Sequence, residues 1–215
     1  MKHRTEEFIT SFFERHGNLR PLQDDVLQVC ELVKEAFLNG NKLLICGNGG
    51  SCADGDHIAG EFLKGFLLKR PVDAALKSAM AEKYGQYGTE IAEKLQVGLP
   101  TISLNTHSAA ISAFENDVDP ELIYAQQVLA YGKPGDVLLG ISTSGNAKNV
   151  AAAVMTANAL GLHTVGLTGK DGGSLAKLSE IALIMPQKET YRIQEEHLAV
   201  YHLLCAVVES EIFCK

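Results

Sequence analysis

The chain has 215 residues, 46% hydrophobic and 21% charged, enough to bury a substantial core as a single domain (1–215) with helical additions. Its formal net charge of -7 argues against a nucleic-acid surface, which needs Lys and Arg to neutralise phosphates; the nearest basic stretch, Lys64 to Arg70, is short and scattered. No apolar run reaches the roughly 18 residues of a membrane span and Met1 to Glu7 lacks a signal-peptide core, so no membrane role and a cytoplasmic location are expected.

The first long helical pattern, Gln23 to Asn39, lies within an N-terminal helical extension over 1–40. Its apolar face, Val26, Val29, Val33 and Phe37, needs a partner in the domain itself or another subunit. A buried-type strand over Lys42 to Cys46 stops at the turn Gly47-Asn48-Gly49-Gly50-Ser51, and a helix is predicted over Ser51 to Leu68. Ala74 to Gln96 reads as helix interrupted at Gly85 to Gly88, with one apolar side formed by Leu76, Met80, Ile91 and Leu95.

A strand over Thr101 to Leu104 leads to a helical stretch, Ala109 to Tyr131, with Asp119-Pro120 as its natural break. A second buried strand, Asp136 to Ile141, runs into Ser142-Thr143-Ser144-Gly145-Asn146. Helix Asn146 to Leu160, strand His163 to Leu167, helix Ser174 to Leu178, strand Ile181 to Met185 and a long helix over Glu189 to Phe213 follow. This alternation predicts an α/β fold with a doubly wound, five-stranded parallel sheet, flanked by helices and binding its ligand at the carboxyl ends of the strands.

Both polar turns fall at such ends. Gly47 to Ser51 has no GK[ST] and no GxGxxG, so it gives nucleotide binding no direct support and serves equally as a tight structural turn. Ser142 to Asn146 is more informative. Three hydroxyls and a glycine before a helix exceed what a turn needs, and they suit a phosphate.

Acid–base groups sit on two helices. His57 and Glu61, four residues apart, share a face; such a pair is either a solvated contact or a set that ligates one metal or divides proton transfers. On the last helix, either Gln194 or Glu195 could share a face with His202, and periodicity does not choose between them. The five cysteines lack CxxC spacing and read as small core residues. Cys52 stands apart only because a helix N-terminus would favour its thiolate.

Together these residues carry a resemblance. Cys46 to Ser51, His57 and Glu61, Asn116-Asp117, Gly135 to Asn146, Leu167 to Gly173, and Arg192-Ile193-Gln194-Glu195 with His197 and His202 resemble, in order, the sugar isomerase (SIS) family, and within it the phosphoheptose isomerases. The resemblance implies a flavodoxin-like SIS domain, assembled as a homotetramer, that interconverts sedoheptulose 7-phosphate and the aldose heptose 7-phosphate. It implies one zinc per subunit held by His57, Glu61, Gln194 and His202, with Glu61 and His202 as the catalytic acid–base pair. Asn48, Gly49, Gly50, Ser51, Glu61, Asn116, Asp117 and Gln194 would bind the sugar, and Ser142, Thr143 and Ser144 its phosphate.

Two features depart from the pattern. Ala147 stands where the family's phosphate loop continues with a serine, and the segment 71–100 is longer than expected. Other SIS proteins of this size are binding modules, including a regulator of bacterial replication initiation and sugar-phosphate sensors. The full set His57, Glu61, Gln194 and His202 favours the enzyme, since a scaffold would not need it.

Overall fold

The computed structural model describes residues 2–214. Five strands, β1 (Leu43–Gly47), β2 (Thr101–Ser103), β3 (Val137–Ser142), β4 (His163–Gly169) and β5 (Ile181–Met185), form one parallel sheet in the order β2-β1-β3-β4-β5. Every residue of β1 and β3 is buried, because both faces of the sheet are covered. Alternate side chains serve two cores: Leu43 and Ile45 enter one, Leu44 and Cys46 the other.

The first core is closed by α1 (His3–Arg15), α2 (Gln23–Leu38), α3 (Gly50–Leu63) and α9 (Thr190–Phe213). The second is closed by α5 (Ser108–Asp117), α6 (Ile123–Tyr131), α7 (Lys148–Ala159) and α8 (Gly173–Leu178). The apolar face of α2 thus finds its partner within the chain: Val26, Val29, Val33 and Phe37 pack in the same core as Val200, Leu204 and Val208 of α9. Strand order reverses between β1 and β3, which opens a crevice at their carboxyl ends, and both polar turns lie there.

Three boundaries differ from the sequence expectation. Helix α3 ends at Leu63 rather than Leu68, because the amides of Phe66, Leu67 and Leu68 donate to the Glu209 carboxylate at 2.8, 2.7 and 3.1 Å instead of to helix carbonyls. The stretch Ala109 to Tyr131 divides into α5 and α6 at the expected break around Pro120, with Asp119 capping the intervening turn through the Glu121 amide at 2.7 Å. Helix α7 starts at Lys148, since Asn146 is engaged in the preceding turn. Within the extension 1–40, α1 forms a helix of its own that sequence reading had not separated.

The segment after α3 forms α4 (Ala74–Lys94), which is two helices rather than one. Gly85 takes a non-helical φ of +60°, and the chain folds back so that a Cβ on Gly88 would lie 2.0 Å from the Met80 carbonyl oxygen. Only glycine allows that crossing. The excursion is closed at its base by a bridge between Pro71 and Gln96 and by the Val97 amide donating to the Arg70 carbonyl at 2.7 Å. Leu76, Tyr84, Tyr87 and Leu95 on this hairpin are exposed.

Candidate active site between two helices and two turns

Helices α3 and α9 bring the predicted acid–base residues together. His57 Nε2 lies 3.2 Å from Glu61 Oε1, as the i,i+4 spacing predicts, and Lys64 Nζ reaches the other Glu61 oxygen at 3.1 Å. From α9, the His202 ring stands perpendicular to that of His57 with centroids 5.1 Å apart. Phe66 stacks on His202 at 5.6 Å and 30°. Burial first, then the neighbouring His57, lowers the His202 pKa, while Glu61 raises it; His202 therefore leans toward the neutral imidazole.

The neighbouring Tyr201 orients His57. Its hydroxyl lies 2.9 Å from His57 Nδ1 and 3.4 Å from Asp54 Oδ1: donating to Asp54, it accepts from Nδ1–H and leaves the Nε2 lone pair toward Glu61; donating to Nδ1, it leaves Nε2–H to donate to Glu61. A lone pair and a carboxylate oxygen 3.2 Å apart repel unless a proton or a cation lies between them. An imidazole nitrogen and a carboxylate oxygen on adjacent helical turns are donor types that a divalent cation accepts. Among the described residues, no three His, Cys, Asp or Glu side chains already converge as a metal centre. Tyr201 and Asp54 were not singled out from the sequence; a Tyr beside His202 in an apolar helix carries no motif.

The turn after β1 has a mixed outcome. Gln194 turns toward this turn: its side chain fills the space above Gly50, where a Cβ would come within 2.1 Å of Nε2, while the exposed Glu195 borders the groove that His202 also lines. A side chain at position 50 would displace the Gln194 amide from this place. Asn48 is tied to α7 by a reciprocal amide pair with Asn149 at 2.8 and 3.0 Å and accepts from Tyr124 at 3.2 Å. Gly49 has a φ of +58°, and Ser51 is buried.

The hydroxyl turn after β3 is buttressed from below. Gly145, at φ +66°, leaves no room for a Cβ, which would sit 2.0 Å from the Gly172 carbonyl oxygen. Ser174 donates through its hydroxyl to the Gly145 carbonyl at 3.0 Å and through its amide to Asn146 Oδ1 at 3.1 Å. Ser144 Oγ accepts from the Asn146 amide at 3.2 Å, Thr143 is half-buried and Ser142 is buried. Asn116 and Asp117 are exposed at the end of α5 and bond to each other at 2.8 Å; no contact joins them to the His57–Glu61–His202 cluster. At Cys52, burial and then Asp56 push the thiol upward, so the helix N-terminus yields no activated thiolate there.

Residues 77–169 match the SIS domain family model. A phosphoheptose isomerase of Trichlorobacter lovleyi is 42% identical over 188 residues, covering 87% of this chain and 83% of its own. The chain belongs to the phosphoheptose isomerase family. Two solved structures of that family superpose on the fold. The enzyme of Neisseria gonorrhoeae is 32% identical with a TM-score of 0.74, covering 95% of this chain and 96% of its own. That of Francisella tularensis is 28% identical with a TM-score of 0.75, covering 98% and 100%. The phosphoheptose isomerase resemblance read from the motifs thus extends over nearly the whole chain.

Proposed function

We propose that the protein is an aldose–ketose isomerase converting sedoheptulose 7-phosphate to D-glycero-D-manno-heptose 7-phosphate. The observation that carries this reading is the meeting of Glu61, His57 and His202 across two helices, in a chain with 42% identity to a phosphoheptose isomerase. Isomerisation moves a proton between neighbouring carbons through an enediol, and the oxygens exchange a proton as well. Glu61 transfers the carbon-bound proton. His202, leaning toward the neutral form, shuttles the proton between the oxygens. The hydroxyls of Ser142, Thr143 and Ser144 hold the phosphate, far from the reacting carbons, so that its binding energy fixes the sugar in the reactive pose. Gly49, Gly50 and Gln194 border the sugar, with Asn48, Ser51, Asn116 and Asp117 completing its surroundings.

Zinc belongs to this reading, held by His57, Glu61, Gln194 and His202. When bound it would polarise the carbonyl and offset the charge of the enediol oxygen. Support comes from the adjacent His57 Nε2 and Glu61 Oε1 atoms, nitrogen and oxygen donors of the kinds that zinc takes. The assembly is a homotetramer in the cytoplasm; exposed Leu38, Leu129 and the apolar side of α4 suit subunit contacts. As a binding module alone, the protein would leave the oriented His57–Glu61 pair without a task.

The test is an assay for the heptose 7-phosphate conversion together with metal analysis of the purified protein. The proposal expects turnover and close to one zinc per chain. Metal-free protein that binds sugar phosphates without isomerising them would overturn it.

A further inference from the structure

Glu209 lies on α9, two turns beyond His202 and outside the cluster described above. Its side chain is buried, with only 1% exposure, and every hydrogen bond it makes goes to one loop. Oε1 accepts from the Phe66 amide at 2.8 Å and from Arg70 Nε at 2.7 Å; Oε2 accepts from the amides of Leu67 and Leu68 at 2.7 and 3.1 Å. Three successive amides turned onto one carboxylate form an anion nest whose anion is supplied by the protein itself. Arg70, equally buried, also donates to the Phe62 carbonyl at 2.9 Å and packs its guanidinium over Phe213 at 4.8 Å. The Glu209 carboxylate, with four donors on its two oxygens, fixes the path of the loop, because losing it leaves those buried donors uncompensated.

That loop carries Phe66, whose ring stacks on His202. A groove of about 500 Å3, lined among others by Phe8, Phe12, Leu198 and Leu203, borders both rings and gives the imidazole room to swing away. We propose that Glu209 is a positioning residue for His202: by gripping the 66–68 amides it plants Phe66 against the imidazole and holds that ring facing His57 and Glu61. The inference rests on the isomerase reading for its catalytic consequence, but its structural content is independent of it.

The test uses the full-length protein at one fixed pH. Glu209→Gln keeps the shape but turns an NH2 toward amide donors, so the loop loosens; Phe66→Ala removes the stacking ring; Phe66→Tyr keeps it. The expected result is a kinetic split: kcat for sedoheptulose 7-phosphate falls about tenfold or more in Glu209→Gln and in Phe66→Ala, KM stays within about twofold, and the double variant is no slower than the slower of the two single ones. Phe66→Tyr restores most of the rate. In histidine-labelled protein, the His202 ring resonances, assigned with a His202→Asn variant, shift in Glu209→Gln and in Phe66→Ala and return in Phe66→Tyr. Unmoved His202 resonances in folded Glu209→Gln, or rate losses that multiply in the double variant, overturn the proposal. Should Glu209→Gln not fold, the Phe66 pair decides: an unshifted His202 in Phe66→Ala overturns it, a shift reversed in Phe66→Tyr supports it. The resonance arm reads the same whether or not the protein turns over this sugar, so failure of the isomerase reading is told apart from failure of the positioning.

Discussion

Individual side chains set the conditions under which the fold and the chemistry work. His197 is fully buried and donates through Nε2 to the Thr168 carbonyl at 3.1 Å, while Nδ1 has no partner among the described residues. Burial lowers its pKa to about 4. An unfolded histidine binds its proton near pH 6.5, so between pH 6.5 and 4 the unfolded state holds more protons and stability falls as the pH falls. The expected loss from this residue alone is about 2 kcal/mol between pH 7 and pH 5, measured as the change in urea unfolding free energy. A His197→Gln variant, whatever its own stability, flattens that slope. Asp136 works in the opposite sense: burial raises its pKa, but hydrogen bonds from Lys42, Lys133 and Asn41 outweigh this and hold it below the ordinary carboxylate value. Its contribution is complete above the unfolded carboxylate pKa near 4 and is lost as pH falls through its lower folded value. Asp136→Ala strips partners from the Lys42 and Lys133 amides and from Lys42 Nζ, and an unfolding cost of about 3 kcal/mol is expected.

Among the elements, the hairpin α4 makes the most direct prediction. Gly88→Ala places a methyl inside contact distance of the Met80 backbone, so the two halves must part; amide exchange over 74–94 should accelerate, whereas an unchanged exchange pattern would contradict the close crossing. Asp73→Ala removes the cap on the Leu76 amide and should cost about 1 kcal/mol of local helix stability. Sequence reading placed the interruption at Gly85 to Gly88 because glycine breaks a helical pattern, but the fold-back itself depends on which backbone a glycine lets approach, and no local pattern encodes that. The early end of α3 has the same origin: Glu209, more than 140 residues along the chain from Phe66, takes the amides that would have continued the helix.

At the scale of the molecule, the sheet was legible because its strands are apolar on both faces and are punctuated by polar turns; that pattern survives any tertiary detail. The crevice followed, since a reversal in strand order places the ends of β1 and β3 side by side. The site was legible only in part. His57 and Glu61 share one helix, so their spacing gave the contact directly. The seating of Gln194 above Gly50 depends on how α9 docks on the turn, and the Tyr201–Asp54 contacts of His57 join two helices that sequence cannot dock. The contacts of Asn48 with Asn149 of α7 and Tyr124 of α6 likewise depend on helices that sequence cannot dock.

In the proposed reaction Glu61 moves the carbon-bound proton. Steady-state turnover of sedoheptulose 7-phosphate by Glu61→Gln, measured beside calorimetric binding of the same sugar phosphate, tests this most directly. The expected result is a rate lowered by about a thousandfold or more with affinity changed by less than about tenfold. A folded Glu61→Gln protein that keeps its rate, or that loses binding and turnover in equal measure, would contradict the assignment.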